Sequence, residues 1–261
     1  MTTRRDFLTR TAATVGAITV LPLTARGAAH GGALSFAGGQ VAIHPVAHAS
    51  FVMETPAGVI YVDTVGEASA YADLPDPDLI LITHQHGDHY NADLLAEIGG
   101  DAPLVVNPAV LDMLPEGLKA RASALANGES TEAMGIGIEA IPAYNITEGR
   151  ENFHPQGRDN GYVLSVAGAR FYVSGDIEGV PEMRALRDID VAFVCMNLPF
   201  TMDAEQAADA VAEFAPAVVI PYHYRGRDGG TQDPAAFAAM LAAAGAGTEV
   251  TLHDWYNGSL G

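Results

Sequence analysis

Residues Thr83–Tyr90 read THQHGDHY and follow directly on the apolar run Leu79-Ile80-Leu81-Ile82. Three of the chain's nine histidines, with an aspartate, fall inside this stretch. An unbroken apolar run of this length is the pattern of a strand buried on both faces. Side chains two apart leaving a strand point the same way, so His84 and His86 can share one ion. Asp88 and His89 lie further along and face a neighbouring position. That arrangement suits two ions side by side with a carboxylate between them. Imidazole and carboxylate together suit zinc foremost, with manganese or iron also compatible.

Two more apolar strands end in a group of the same kind. RFYVS runs into Gly175-Asp176, and AVVI runs into Pro221-Tyr222-His223. Alone, each is ordinary, because Gly-Asp is a common turn dipeptide and a single histidine is commonly a core residue. They gain weight together, each closing a buried strand.

Working outward, QVAIHPV, SFVME and GVIYVDT read as strands, the last two joined by a turn at Ala57-Gly58. NADLLAEI suits a short helix with Asn91 as N-cap and Gly99-Gly100 as its stop. PLVVN reads as a strand, and Pro108 to Leu125 as a helix broken at Pro115. GIGIEAIPAY, GYVLSV and RFYVS are further strands, with a turn at Ala167-Gly168. A polar Gly-rich loop is expected from Glu148 to Gly161. A short helix near Val180 to Leu186 precedes the strand DVAFVCM. A helix from Asp203 to Phe214 opens on a capping box of Asp203 and Gln206. AVVIPYH, a helix from Pro234 to Ala244 and the strand EVTLH close the chain. The mixture predicts an α/β protein in four layers, αββα, with two sheets sandwiched between outer helices.

Composition bounds the function. The chain has 261 residues, 49% of them hydrophobic, and a net charge of -19. That charge argues against a nucleic-acid partner, since phosphate binding needs clustered Lys and Arg. The one cysteine, Cys195, excludes an intrachain disulfide framework. At the N-terminus, Arg4 and Arg5 precede Phe7 and Leu8, then a mildly apolar stretch and small residues. This RR-x-F-L start resembles a twin-arginine signal, so residues 1–29 are read as a signal peptide and 30–261 as a single domain. The expectation is a periplasmic or secreted protein that meets the export machinery transiently and keeps no membrane span.

THQHGDHY, YVSGD and IPYHY, in that order, resemble the metallo-β-lactamase superfamily. The similarity runs from about Gln40 to His253. Within it, the chain resembles the ascorbate-6-phosphate lactonase-like and N-acyl-phosphatidylethanolamine phospholipase D branch. The resemblance implies an αββα fold and a site for one or two metal ions. His84 and His86 would serve the first ion; Asp88, His89 and His223 the second; Asp176 would bridge them. Asp63 matches a carboxylate that orients a metal-bound imidazole, or is a turn aspartate. His48, in AHASF, matches a position close to the site, or is structural.

One departure matters. Family members place a further histidine at a strand end where this chain has IPAYN, so Asn145 stands in for an imidazole. An amide oxygen is a weak ligand for zinc. His154, in NFHPQGRDNG, either folds back to replace the missing ring or is an exposed loop residue. Gln85 cannot be an anionic ligand, which favours hydrolysis over iron redox chemistry. Tyr144, Tyr90 and Tyr224 are candidate donors to a developing oxyanion or simply line the wall, and either Tyr144 or a metal-bound water would protonate the leaving atom. Cys195 reads as core, and His30, His44 and His253 as structural or exposed.

The expected function is an exported metal-dependent hydrolase. Metal-bound hydroxide, oriented by Asp88, would cleave an ester, lactone or amide bond of a small molecule. A phospholipase D-like phosphodiesterase is the alternative. A non-catalytic metal- or partner-binding protein is the alternative of another class, motivated by Asn145.

Overall fold

A computed structural model describes residues 19–22 and 32–256. The predicted signal peptide otherwise lies outside the described residues, as does His30. The first sheet is an antiparallel meander of β1 (Thr19–Pro22), β2 (Gly32–Phe36), β3 (Gly39–Ala47), β4 (Ser50–Thr55) and β5 (Gly58–Val62). It continues in parallel through β6 (Leu79–Ile82), β7 (Leu104–Val106) and β8 (Ala122–Ala124). Helices α1 (Ala92–Ile98), α2 (Pro108–Met113) and α3 (Glu116–Lys119) make the crossovers.

The second sheet repeats the plan. β9 (Ser130–Ala133), β10 (Ile136–Ala143), β11 (Asp159–Val166) and β12 (Ala169–Val173) form a meander. Parallel strands β13 (Val191–Cys195), β14 (Val218–Tyr222) and β15 (Glu249–Val250) follow. Helices α4 (Pro181–Arg184), α5 (Ala204–Phe214) and α6 (Pro234–Ala244) lie between them in the chain.

Alternation along β6 shows how the layers assemble. Leu79 and Leu81 join the core between the sheets, with Phe51, Phe171 and Phe193. Ile80 and Ile82 point the other way, onto Leu94, Leu95, Val110 and Leu118 of the first three helices. Period-two alternation with apolar residues on both faces requires cover on both faces. Phe51 stacks on Phe193 at 4.3 Å, and the Tyr162 hydroxyl donates to the Ile82 carbonyl at 2.9 Å, so the sheets are bolted together beside β6. The four-layer αββα sandwich follows.

Helix caps agree with the sequence. Asn91 accepts from Leu94 N, and Asp203 forms the full capping box with Gln206. The region 108–125 follows its expectation only as far as the break at Pro115. It divides into α2 and α3 around Pro115 and then ends in strand β8, paired in parallel with β7. Its last residues take the free edge of β7, where ladder hydrogen bonds outweigh helix propensity. Strands β1, β2 and β9 went unpredicted, the last strand is shorter than EVTLH, and β11 begins within the expected loop. No helix of the described residues is long and apolar enough to cross a membrane.

Candidate metal centre

The site lies where the carboxyl ends of the parallel strands meet. β5 delivers Asp63, β6 delivers the His-rich loop, β12 delivers Asp176 and β14 delivers His223. His48 comes from the turn between β3 and β4. His48, Asp63 and His223 all adopt left-handed backbone, with φ of 54°, 47° and 47°. Non-glycine residues there cost about 1 kcal/mol or more, and such strain gathers at functional sites. Before Asp176, Gly175 has φ 60°, and a Cβ there would sit 2.7 Å from the Asn160 carbonyl oxygen. Only glycine lets the chain turn so close to β11.

Within the His-rich loop, the amides of His89 and Tyr90 both donate to the His86 carbonyl, at 2.9 and 2.8 Å. This tight turn brings His89 back beside His84, ring centroids 3.9 Å apart. Asp63 fixes the loop's start: it accepts from Thr83 N and Thr83 Oγ1, each at 2.7 Å, and pairs with His89 Nδ1 at 2.7 Å.

Two kinds of distance separate the backs of the rings from their fronts. At the back, Nδ1 of His89 meets Asp63 at 2.7 Å and Nδ1 of His154 meets Asp159 at 3.1 Å, both within hydrogen-bond range. At the front, Nε2 of His89 and of His223 approach Asp176 Oδ1 at 3.4 and 3.3 Å. His154 Nε2 approaches the other oxygen, Oδ2, at 3.4 Å. His223 Nε2 lies 3.6 Å from Asp88 Oδ2. Two ligands each about 2.1 Å from a tetrahedral ion stand about 3.4 Å apart. These contacts to the carboxylates are thus long for hydrogen bonds and right for ligands sharing an ion. Furthermore, His89 Nε2 and Asp176 Oδ1 are buried with no hydrogen-bond partner. Natural folds rarely leave such atoms orphaned, so the pair fits a divalent cation.

His84, His86 and His154 form one group whose ligating atoms lie close enough for one ion, and His84 Nε2 is 3.1 Å from His86 Nδ1. His84, His89 and Asp176 form a second group, and His48, Asp88 and His223 a third. Burial, then neighbouring imidazoles, holds His84 and His86 below the ordinary histidine range, and burial likewise lowers His223. His89 goes the other way: burial opposes protonation, but Asp176 and Asp63 outweigh it and raise its pKa. Burial would raise the pKa of Asp176, yet His223 and His89 hold it well below the usual carboxylate range. Asp88 is lowered too: its partial burial would raise it, but the imidazoles of His48, His89 and His223 beside it outweigh that.

His154 is not an exposed loop residue; it is buried, 4.9 Å from both His84 and His86 by ring centroids. Asn145 donates its backbone N–H to the His154 carbonyl at 2.9 Å and its side-chain amide to Phe200 O at 2.7 Å. The residue in the expected histidine's place therefore anchors the loop that carries His154. Tyr144 is not brought to the cluster: its hydroxyl donates to Glu182 on α4 at 2.9 Å, and burial raises its pKa to about 12. Tyr224 packs against Tyr256. Cys195 is core, its thiol pushed up to about 12 by burial.

Sequence reasoning missed Asp159, Arg158 and Asn197. Arg158 pairs with Asp159 at 2.7 Å, steadying the carboxylate behind His154. With its amide oxygen turned inward, Gln85 accepts from the same guanidinium at 2.9 Å. The Asn197 amide lies 3.1 Å from His223 Nε2 and is tied down by Thr201. Asp159 carried a weak signal, an acidic residue five after His154 in a loop already suspected of supplying a ligand.

Residues 42–223 fit the family profile described as the beta-lactamase superfamily domain. The chain belongs to the metallo-β-lactamase superfamily. A relative from Pyrococcus abyssi named "UPF0173 metal-dependent hydrolase" is 29% identical over 212 residues, 77% of this chain and 92% of its own. A solved structure of a metal-dependent hydrolase from Parabacteroides distasonis is 35% identical, with a TM-score of 0.74 over 87% of this chain and 99% of that one. The metallo hydrolase Igni18 of Ignicoccus hospitalis shares the fold at 24% identity and TM-score 0.66, covering 81% of this chain and 94% of its own. As a metallo-β-lactamase-fold protein, the chain is a metal-dependent hydrolase.

Proposed function

We propose that the protein, exported through its twin-arginine-type signal, hydrolyses an ester, lactone or amide bond of a small molecule. The observation that carries the reading is the division between hydrogen-bonded ring backs and ion-spaced ring fronts around Asp176. A divalent ion held there, zinc foremost, would bring the pKa of a bound water toward neutrality and polarise the substrate oxygen. His84, His86 and His154 would hold a first ion, and Asp88, His89 and His223 a second, with one Asp176 oxygen toward each.

The chain's own groups prepare this chemistry. Asp63 and Asp159 accept hydrogen bonds from Nδ1–H of His89 and His154, which fixes the tautomer and leaves each Nε2 lone pair facing inward. Asp176 is 3% exposed, so its charge acts in a site poor in water. Asp88 is 44% exposed, a carboxylate that solvent and substrate can reach. It would orient the attacking water. The overall charge of -19 supports a substrate that is not a polyanion.

Treatment with EDTA, or His86→Ala, is expected to abolish turnover on a panel of chromogenic esters, lactones and bis-p-nitrophenyl phosphate. Full activity in metal-free protein would end the reading. Turnover of the phosphodiester alone would move the substrate class, and tight metal with no turnover would make this a binding protein.

A further inference from the structure

The proposed metal centre leaves His48 without a role, although its surroundings copy those of the ligands. Its Nε2 lies 3.4 Å from Asp88 Oδ2, the spacing seen at the fronts of His89 and His154. Its Nδ1 lies 3.1 Å from the Tyr256 hydroxyl, the spacing seen at the back of His154. The His48 ring meets the His223 ring edge-on, centroids 4.0 Å apart, and Asp88 Oδ2 is close to both. The backbone reaches this position only by a register shift in β3 and a left-handed turn at His48 itself. That strain needs a compensating interaction.

We propose that His48 is a further protein ligand of the second metal ion, and that Tyr256 is the residue that positions it. The inference rests on the metal-centre reading above. Tyr256 is itself held, its hydroxyl accepting from Arg225 N at 3.4 Å and its ring lying 4.1 Å under the Arg225 guanidinium. A hydroxyl that accepts Nδ1–H fixes the tautomer with a lone pair on Nε2, as a carboxylate does behind the other rings. The competing arrangement has Nε2–H donating to Asp88, in which case His48 steers the carboxylate and binds no ion.

Metal stoichiometry separates the two without any assay of activity. The zinc-loaded protein is dialysed against a graded series of chelator concentrations, and metal per chain is read by elemental analysis. The wild type is expected to hold two ions. His48→Ala should release the second at a chelator concentration at least tenfold lower and keep the first, as His89→Ala should, with Tyr256→Phe shifted a few-fold in the same direction. Should His48→Ala fail to fold, His48→Gln gives the same readout with the volume kept. Wild-type retention of the second ion in the His48 variants, equal loss of both ions, or a single ion in the wild type overturns the proposal. A wild type that binds no metal overturns the metal-centre reading itself.

Discussion

Two loops bring imidazoles to the first metal position by opposite means. The loop after β6 supplies His84 and His86 from adjacent turns of chain, set by the strand direction and by Asp63 and Thr83. The 145–159 loop supplies only His154, and it is held by contacts to neighbouring segments and by contacts within itself. Arg150 donates to Thr201 O at 3.0 Å, Phe153 packs edge-on against Phe200 at 5.1 Å, and Arg158 reaches back to Phe153 O at 2.8 Å. A ligand built into a strand end is inherited from the sheet. One carried on a long excursion has to be fastened by the side chains around it.

The comparison breaks most visibly at His154. If the excursion delivers a true ligand, His154→Ala should weaken the first metal by more than the about 10–100-fold that loss of an outer partner costs. The loss should equal that of His86→Ala in a chelator-competition titration; wild-type affinity would return His154 to a structural role.

A smaller effect tests whether the two backing carboxylates are equivalent. Asp63→Asn and Asp159→Asn should each lower metal affinity about 10–100-fold, because an amide orients an imidazole N–H less well than a carboxylate does. Metal titrations that show a loss only for Asp63→Asn would mean that the His154 ring is held by the loop and not by its carboxylate.

The smallest effect is in the metal-free protein and concerns the rings of the strand-end loops. His84, His86 and His223 are lowered in the fold, mainly by burial, and His89 alone of the shifted histidines is raised. A lowered histidine stabilises the fold above its unfolded pKa of about 6.5, and that contribution is lost as the pH falls. The raised His89 acts in reverse. With three rings against one, thermal midpoints of the apo protein should fall between pH 7.5 and 5. A midpoint that climbs on acidification would show that His89 dominates.

How much of this was readable follows the same division. Leu79–Ile82 reads as a buried strand because its apolar run is local, and the imidazoles after it inherit their direction from the pleat. By contrast, residues 122–124 pair at a sheet edge, which no local preference signals. Tyr144 was a candidate donor from the sequence, yet its side chain leaves toward Glu182.

The amino-acid sequence by itself determined the two-sheet architecture and the strand ends that carry His84, His86, Asp88, His89, Asp176 and His223. Those features arise from periods of two and from residues a few positions apart. Only the tertiary structure decided that His154 comes to lie beside His84 and His86, that Asp159 stands behind it, and that Tyr256, 208 positions from His48, meets that ring. Which nitrogen faces inward depends on what lies behind the ring, and packing of the two sheets and their loops fixes that.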